Sequence, residues 1–279
     1  MLLVADSGST KTDWMVLEGG KRIFKTSTAG LNPHFVSKQD IRKTLRSVNF
    51  FKDLNRRISE VRFYGAGCSE KRGQDKIKTS LHALFPKAKV VVQTDLAGAA
   101  IATCGDTKGI VCILGTGSNC CYYDGKRVHR SNAGLGYVLG DEAGGTYFGK
   151  KILKLFLYGK MTPGTEKKFR KQFNVTRESA IDNTYNRPNA NRYLASFALF
   201  LKENKSEKQM RHLIEEGLNE FFETNISQVK GYKNLPVHFV GSVAVMLEGE
   251  IKSLLRKKKM HVGKIIQRPI EGLNDYFKG

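Results

Sequence analysis

The sequence contains two segments of the same kind, in which an apolar strand runs directly into a small polar turn. In VADSGST (residues 4–10) and ILGTGSN (113–119), glycine, serine and threonine follow an apolar run. The segments after each also come in a similar order, with further strands and then alternating helices and strands. We therefore expect two copies of one β-β-β-α-β-α-β-α unit, the second enlarged by helices between about residues 141 and 230.

This repeat divides the chain into a first domain over residues 1–106 and a second over 107–279. A hinge is expected near Gly105 to Lys108, and a last helix from about residue 267 is a candidate to pack back on the N-terminal domain. Duplicated domains that face one another leave a cleft, where ligands usually bind. The fold prediction is therefore an α/β protein with two duplicated domains around a central cleft.

Charge and composition restrict the classes of function. The formal net charge of +21 attracts polyanions, including nucleic acid. The lysines are scattered, and aromatic residues are not interleaved with them as in a base-stacking surface, so we prefer a solvated basic surface. No apolar run reaches the length of a membrane span, and the short apolar start lacks a basic segment before it. We expect a cytoplasmic protein without a membrane partner.

The cysteines do not form a recognisable framework. Five are present, an odd number, and none has C-x-x-C spacing: Cys68, Cys104, Cys112, Cys120 and Cys121. Buried free thiols are therefore expected rather than disulfides or a zinc site.

The first polar turn, DSGSTKTDW at residues 6–14, has the composition of an anion-binding loop. Glycine lets the backbone approach a ligand, hydroxyl groups donate hydrogen bonds and lysine adds a positive charge. The residues expected to contact phosphate are Gly8, Ser9, Thr10 and Lys11. Asp6 would face a metal bound to the phosphates, because Mg²⁺ favours carboxylate and water ligands. The alternative is a β-turn whose hydroxyls bond to its own backbone.

The second turn, GTGSN at residues 115–119, offers the same chemistry through Thr116, Gly117 and Ser118. Two such turns at equivalent places in duplicated domains could hold one triphosphate. A turn-only interpretation has to explain the same coincidence twice.

Asp95 lies where a buried strand, VVVQT, ends and a small-residue helix begins. A carboxylate there could cap the helix. It could equally act as a catalytic base that accepts a proton from a hydroxyl attacking phosphorus, since positioning and charge stabilisation do most of the work in phosphoryl transfer.

Three further segments are candidates. Asp141 and Glu142, in GLGYVLGDEAGG, could accept hydrogen bonds from sugar hydroxyls or cap the next helix. Asn32, in GLNPHF, is available for polar recognition. The small residues of VGSVAVML, at 240–247, could admit an adenine or simply allow close helix–strand packing.

Taken together, these segments resemble those of the superfamily of sugar kinases, heat-shock ATPases and actin. Within it the chain is most similar to N-acetylglucosamine kinases and BadF/BadG/BcrA/BcrD-type ATPases. The matching segments span almost the whole chain: DSGSTKTDW, ILGTGSNC, TDLAGAA, GLGYVLGDEAGG and GSVA. The resemblance implies ribonuclease H-like (actin-like ATPase) domains, ATP and Mg²⁺ as cofactors, and phosphorylation of the 6-hydroxyl of an amino sugar, foremost N-acetylglucosamine.

The resemblance also implies roles for particular residues. Asp6 would organise the water shell of Mg²⁺, and Asp95 would be the base for the sugar 6-hydroxyl. The residues implied to contact the nucleotide are Thr10 and Thr116 at the phosphates and Gly241 and Ser242 at adenosine. The residues implied to line the amino-sugar pocket are Asn32, Gly117, Ser118, Asn119, Asp141 and Gly145.

Two departures from the family pattern bear on the identity of the sugar. The family often has N-x-W in its sugar loop, whereas Asn32 is followed by Pro33 and His34. The position of a pocket cysteine in the animal enzymes is Asn132, which is included among the candidate pocket residues.

Other functions stay open at this point. An iron–sulfur activator-type ATPase would need thiolates in suitable positions. A non-catalytic sugar or nucleotide sensor could keep the turns and lack turnover, and a ribonuclease H-like nucleic-acid-binding protein would bind with a steep salt dependence. A homodimer is also left open.

Overall fold

The computed structural model describes residues 1–129 and 134–278 and divides the chain into two compact units. Unit 1 comprises Met1–Thr107, Gly125–Val128 and the residues from Arg268 on. Unit 2 comprises Lys108–Asp124 and His129–Gln267. Each unit contains one five-stranded sheet with helices around it.

The strands of the described residues are numbered in chain order. They are β1 (Leu2–Ser7), β2 (Lys11–Glu18), β3 (Lys21–Ala29), β4 (Glu60–Gly65), β5 (Lys89–Thr94), β6 (Gly109–Leu114), β7 (Ser118–Tyr123), β8 (Val128–His129), β9 (Val237–Val240) and β10 (Val262–Ile266).

The α-helices are numbered in the same way. They are α1 (Lys38–Arg46), α2 (Asn49–Asp53), α3 (Lys71–His82), α4 (Asp95–Cys104), α5 (Gly136–Leu139), α6 (Gly145–Leu157), α7 (Pro163–Gln172), α8 (Arg177–Ile181), α9 (Ala190–Ser196), α10 (Phe200–Asn204), α11 (Lys208–Phe221), α12 (Ser242–Met246), α13 (Glu248–Lys257) and α14 (Pro269–Phe277). Two π-helical turns lie at Asp182–Asn186 and Phe222–Ile226, and two 3₁₀ turns at Phe197–Leu199 and Tyr232–Asn234.

The two sheets have the same topology. The strand order is β3-β2-β1-β4-β5 in one and β10-β9-β6-β7-β8 in the other. In each sheet the first strand pairs antiparallel with the second across a tight hairpin and parallel with a later strand, β1 with β4 and β6 with β9. The predicted α/β duplication is confirmed, and the helical enlargement of the second copy corresponds to α6–α11.

The core of unit 1 lies between its sheet and the helices α1, α2 and α3. Trp14 and Phe51 meet edge to face with ring centroids 5.2 Å apart, and Phe51 contacts Phe85 in the same way at 5.8 Å. Aromatic pairs of this geometry add about 0.5–1.5 kcal/mol each beyond their burial. Helix α14 packs on α4 and on the strands β1 and β2.

The core of unit 2 is built around Phe169, a fully buried residue of α7. Its ring lies 4.6 Å from that of Phe156 and 5.4 Å from that of Phe200, between centroids. The added helices therefore share one apolar core with the sheet strands β6 and β9, rather than forming a separate layer of their own.

The structure differs from the sequence-based elements in two places. The pattern over 243–257 predicts one helix, whereas the structure has two, α12 and α13, which meet at Leu247. The sequence analysis predicts no helix over 49–53, where the short helix α2 lies. The strand predicted at 126–132 is described over Val128–His129 as β8, and its residues 130–132 lie outside the described residues. No helix in the described part of the chain is long and apolar enough to cross a membrane.

Candidate functional site

The first polar turn is the hairpin between β1 and β2. The Gly8 N–H donates to the Lys11 carbonyl at 2.9 Å, which closes the turn. The hydroxyls of Ser7 and Thr12, both buried, lie 2.7 Å apart across the strand pair. These two hydroxyls hold the hairpin itself, so Ser9 and Thr10 are the hydroxyl residues that the turn presents at its tip.

Residues 30–36, here called the Asn32 loop, pack on this hairpin. The Gly30 N–H donates to the Thr10 carbonyl at 3.0 Å, and the Leu31 N–H donates to Ser7 Oγ at 3.1 Å. A Cβ at Gly30 would lie 2.5 Å from the Gly8 carbonyl oxygen, so only glycine allows this approach. The loop and the hairpin therefore form one rigid edge.

Asn32 links the loop to the hairpin through its side chain. Its Nδ2 donates to Ser9 Oγ at 3.1 Å, and its Oδ1 accepts the His34 N–H at 3.0 Å. The residue is 7% exposed. Both ends of the amide thus support the local structure, and direct recognition of a sugar by Asn32 stays a prediction.

Two candidate carboxylates lie at the carboxyl ends of parallel strands in unit 1. Asp6 is in β1 and Asp95 directly follows β5, with β4 between them; Asp6 pairs with Tyr64, and Tyr64 with Gln93. Two strand spacings correspond to roughly 9–10 Å between backbones. Burial, together with the charges of Asp95 and Asp13, raises the pKa of Asp6 to about 7. The carboxylates are therefore close enough to repel one another.

The first turn of α4 is capped by Thr94 rather than by Asp95. Thr94 Oγ1 accepts the Ala97 N–H at 3.2 Å, whereas Asp95 is the first residue of the helix and its Oδ1 accepts the Leu96 N–H at 2.9 Å. The cap interpretation of Asp95 was wrong. Burial and the Asp95 charge raise the pKa of the Cys68 thiol to about 12, which places Asp95 in the same neighbourhood as the loop after β4.

Lys11 forms an ion pair within the hairpin. Its Nζ lies 2.7 Å from Asp13 Oδ1, and Ser27 Oγ donates to the same carboxylate at 2.6 Å. Although burial raises the pKa of Asp13, the bonds from Lys11 and Ser27 and the charges of Lys11 and Arg268 outweigh it and hold that pKa below its usual value. Lys11 would have to leave Asp13 to reach a phosphate, so phosphate contact by Lys11 stays a prediction.

The second polar turn is the hairpin between β6 and β7 in unit 2. The Gly115 N–H donates to the Gly117 carbonyl at 2.9 Å. The beginning of α6 packs on this turn, since the Gly145 N–H donates to the Gly115 carbonyl and the Thr146 N–H to the Thr116 carbonyl, each at 2.8 Å. The backbone bonds of the turn are satisfied by a helix end, whereas the turn in unit 1 is supported by a loop.

Asp141 lies beside the second hairpin. Its carboxylate accepts the Ser118 N–H at 3.1 Å and the Thr146 hydroxyl at 3.3 Å. Burial raises the pKa of Asp141, although these two bonds and the Lys150 charge oppose the shift. The N-cap of α6 is Gly144, so the cap interpretation of Asp141 was also wrong. The backbone of Asp141 has φ +61°, a left-handed conformation that costs energy for a non-glycine residue.

Gly241 and Ser242 follow β9, which lies beside β6 in the sheet. Gly241 has φ +125°, and a Cβ there would overlap the Leu114 carbonyl oxygen. This close approach is the helix–strand packing that the sequence offered as one explanation. Ser242 is exposed at the start of α12, and contact of this pair with adenosine stays a prediction.

The remaining candidates are placed as follows. Asn119 Oδ1 accepts the N–H of the next residue, Cys120, at 3.0 Å. Asn132 lies outside the described residues. Two sets are thus brought together, one in each unit. The unit 1 set is Asp6, Gly8, Ser9, Thr10, Lys11, Asn32 and Asp95, and the unit 2 set is Thr116, Gly117, Ser118, Asn119, Asp141, Gly145, Gly241 and Ser242.

The described residues were also compared with the requirements of a metal site and of disulfide bonds. No group of three or more histidine, cysteine, aspartate or glutamate side chains there is arranged to hold a metal ion. The five cysteines are buried, and none is joined in a disulfide. Sequence reasoning missed Asp13 as part of the carboxylate cluster, although an acid in the otherwise apolar run DWMVL was a usable signal.

Comparison with known proteins gives the family. No protein-family model and no curated protein sequence matches the chain. A solved structure of a candidate N-acetylglucosamine kinase from Porphyromonas gingivalis is 34% identical, with 100% of this chain and 99% of that chain covered and a TM-score of 0.94. The chain therefore belongs to the actin-like sugar kinase family.

More distant structures share the fold. A candidate N-acetylglucosamine kinase from Chromobacterium violaceum is 16% identical with a TM-score of 0.73, over 99% of this chain and 98% of that one. A glucokinase of the ROK family from Streptomyces griseus, solved with glucose and AMPPNP, is 13% identical with a TM-score of 0.58, over 99% and 97% of the two chains.

Proposed function

We propose that this chain is an ATP-dependent sugar kinase that transfers the terminal phosphoryl group of ATP to the 6-hydroxyl of N-acetylglucosamine. Family membership supports a sugar kinase, and the Porphyromonas gingivalis relative supports the amino sugar. The observation that carries the proposal is the placement of Asp95 and Asp6 at the same sheet edge as the 8–11 turn in unit 1.

Asp95 is the proposed general base. It lies on the first turn of α4, where the backbone fixes it, and Thr94 caps the helix in its place. Its carboxylate would accept the proton of the 6-hydroxyl as the new oxygen–phosphorus bond forms and the bond to ADP breaks. A positioned base of this kind contributes about 10²–10⁴-fold to the rate.

The two hairpin turns are proposed to contact the nucleotide phosphates. Thr10 and Thr116 supply hydroxyl donors, and the glycines allow backbone approach. Gly8, Ser9, Lys11 and Gly117 are the remaining proposed phosphate residues, and Gly241 and Ser242 are proposed to border adenosine.

Asp6 fits the proposed role near Mg²⁺. Its raised pKa, about 7, reflects burial and crowded negative charge, which a divalent cation would relieve. Mg²⁺ usually keeps several waters and binds through one or two carboxylates plus phosphate oxygens, so a larger cluster of protein ligands is not required. When bound, the ion would neutralise charge on the phosphates.

The sugar is proposed to bind beside Asp141. Its carboxylate is oriented by Ser118 and Thr146, and a carboxylate accepts hydrogen bonds from sugar hydroxyls. Ser118, Asn119, Gly145 and the polar Asn32 and Asn132 complete the proposed set. A cytoplasmic location and a homodimer stay predictions.

An ADP-release assay with a panel of sugars tests the proposal. We expect ADP release that depends on N-acetylglucosamine and exceeds the release with glucose. The matched control is Asp95→Asn, which should bind nucleotide and release sugar-dependent ADP about 10²–10⁴-fold more slowly. A wild-type protein that releases ADP at the same rate with and without every sugar would contradict the proposal.

A further inference from the structure

Helix α3 supports the Asn32 loop through hydrogen bonds from one lysine. Lys76, a half-buried residue of α3, donates through Nζ to the Pro33 carbonyl at 2.6 Å and to the Val36 carbonyl at 2.9 Å. These described contacts of its ammonium are carbonyl oxygens rather than a carboxylate. Hydrogen bonds from a charged donor are roughly twice as strong as neutral ones, so Lys76 ties two points of the loop to one rigid helix.

The same helix also fixes the turn that follows β4. Gln74 Nε2 donates to the Cys68 carbonyl at 3.0 Å. Gly73 lies so close to this turn that a Cβ there would be 2.5 Å from the Gly67 carbonyl oxygen. Gly67 in turn has φ +78°, and a Cβ on it would overlap the Asn32 amide. The Asn32 loop is therefore enclosed by α3, the 65–68 turn and the first hairpin.

The side chains at the tip of the loop are exposed to solvent. His34 and Phe35 are exposed, Phe35 by 67%. The backbone of this segment is nevertheless fixed by hydrogen bonds. The Phe35 and Val36 N–H groups both donate to the Asn32 carbonyl, at 3.0 and 3.2 Å. A loop fixed at its base with polar and aromatic side chains at its tip is suited to recognise a ligand.

We propose that Lys76 is a positioning residue for the sugar acceptor. It holds the Pro33 and Val36 carbonyls so that the Asn32 loop keeps one conformation against the first hairpin. Its loss would loosen residues 33–36 and weaken acceptor binding, while the hydrogen bonds of Gly30, Leu31 and Asn32 keep the first hairpin in place. The acceptor part of this inference rests on the proposed kinase function.

Three variants separate positioning from general stability. Lys76→Met keeps the apolar stem and removes both donated hydrogen bonds. Lys76→Arg restores a cationic donor at the same position. Lys78→Met removes a charge from an exposed position on the same helix and is the matched control.

Hydrogen exchange measures the loop without any reference to activity. The amides of His34, Phe35 and Val36 are hydrogen-bonded within the loop in the native protein. Lys76→Met should exchange these amides at least several-fold faster than wild type, while Lys78→Met leaves them unchanged. Unchanged exchange in Lys76→Met would overturn the anchoring by Lys76, whatever the activity of the wild type.

Steady-state kinetics measure the consequence for the acceptor. In Lys76→Met we expect KM for N-acetylglucosamine to rise on the order of tenfold, with KM for ATP changed less than about twofold. A positioning group that is misplaced by about 1 Å can cost about 10²-fold, and a loosened loop still visits its correct position part of the time. Lys76→Arg should recover part of the loss. Equal increases in both KM values would mean that Lys76 only stabilises unit 1, and the positioning role would be wrong. A wild type that phosphorylates no sugar would overturn the proposed function instead.

Discussion

The two hairpin turns occupy the same place in sheets of the same topology, yet they are surrounded by different chemistry. The turn at 8–11 lies among the carboxylates of Asp6, Asp13 and Asp95 and packs against a loop. The turn at 115–117 lies against the beginning of α6, with backbone N–H groups and Asp141 beside it.

This difference shows that the duplication repeats the position of the polar turn in each unit, but not the charged groups that surround it. Crowded carboxylates suit a cation and proton transfer, which we propose for unit 1 in addition to the contacts of its 8–11 turn with phosphate and of its Asn32 loop with the sugar. Backbone amides, hydroxyls and one oriented carboxylate suit the recognition of phosphate and sugar oxygens, which is the role proposed for unit 2.

Asp95→Asn tests whether proton transfer belongs to unit 1. We expect kcat to fall by about 10²–10⁴-fold, because the amide cannot accept the proton. Affinity for ADP, measured by calorimetry, should change less than about twofold, since positioning of the nucleotide does not depend on this carboxylate. Asp75→Asn, an exposed residue of α3, is the control and should keep full turnover. Comparable turnover in the two variants would remove Asp95 from its role.

Gly241→Ala tests whether close backbone packing shapes the edge of unit 2. The positive φ and the overlap with the Leu114 carbonyl should lower the free energy of unfolding by about 2–4 kcal/mol. Gly249→Ala, whose added Cβ would meet nothing within 4 Å, is the matched control in α13. Urea titration should separate the two variants, and equal stability would show that the packing is less close than described.

Asp6→Asn tests the charge crowding in unit 1. The pKa of Asp6 is about 7 in the folded protein and 3.8, its ordinary value, in the unfolded chain. The unfolded chain therefore holds fewer protons between these pH values, so wild-type stability falls as pH rises through this window. In metal-free buffer the variant should be more stable than wild type by roughly 1–3 kcal/mol at pH 8 and equal to it near pH 4. A stability difference that does not depend on pH would rule out this explanation.

His238 tests the opposite pH response in unit 2. Burial, and then the charges of Lys264 and His261, lower the pKa of His238 to about 4 from 6.5. The unfolded chain binds more protons between these values, so this contribution to stability is complete above about pH 6.5 and is lost as pH falls toward 4. His238→Gln should reduce that loss by about 1–2 kcal/mol, measured as the urea midpoint at pH 4.5 and pH 7.5. Identical pH dependence in both proteins would exclude His238 as the cause.

Local sequence signals predicted most of the fold. The hairpin at 19–20 follows from the Gly-Gly pair, and both glycines have positive φ. Helix α1 follows from the spacing of Ile41 and Leu45, and Ser37 with Asp40 forms the capping box that starts it. Each of these features depends on residues a few positions apart, which is the range that periodicity and turn chemistry can report.

Side-chain partners across the chain could not be predicted in this way. The helix that follows Asp141 suggests a capping role for it, but its partner Ser118 lies 23 residues away. Lys76 has the pattern of a solvated helix lysine, and its partners Pro33 and Val36 become neighbours only in the folded unit. The sequence therefore located the segments of the candidate site better than the bonds within them.

Phosphorus NMR of the wild-type protein incubated with ATP, Mg²⁺ and N-acetylglucosamine observes the proposed reaction itself. We expect a single new phosphomonoester on the 6-oxygen of the sugar, formed in step with ADP and absent on the same timescale when Asp95→Asn replaces the wild type. Inorganic phosphate as the sole product besides ADP, formed equally with and without the sugar, would contradict it.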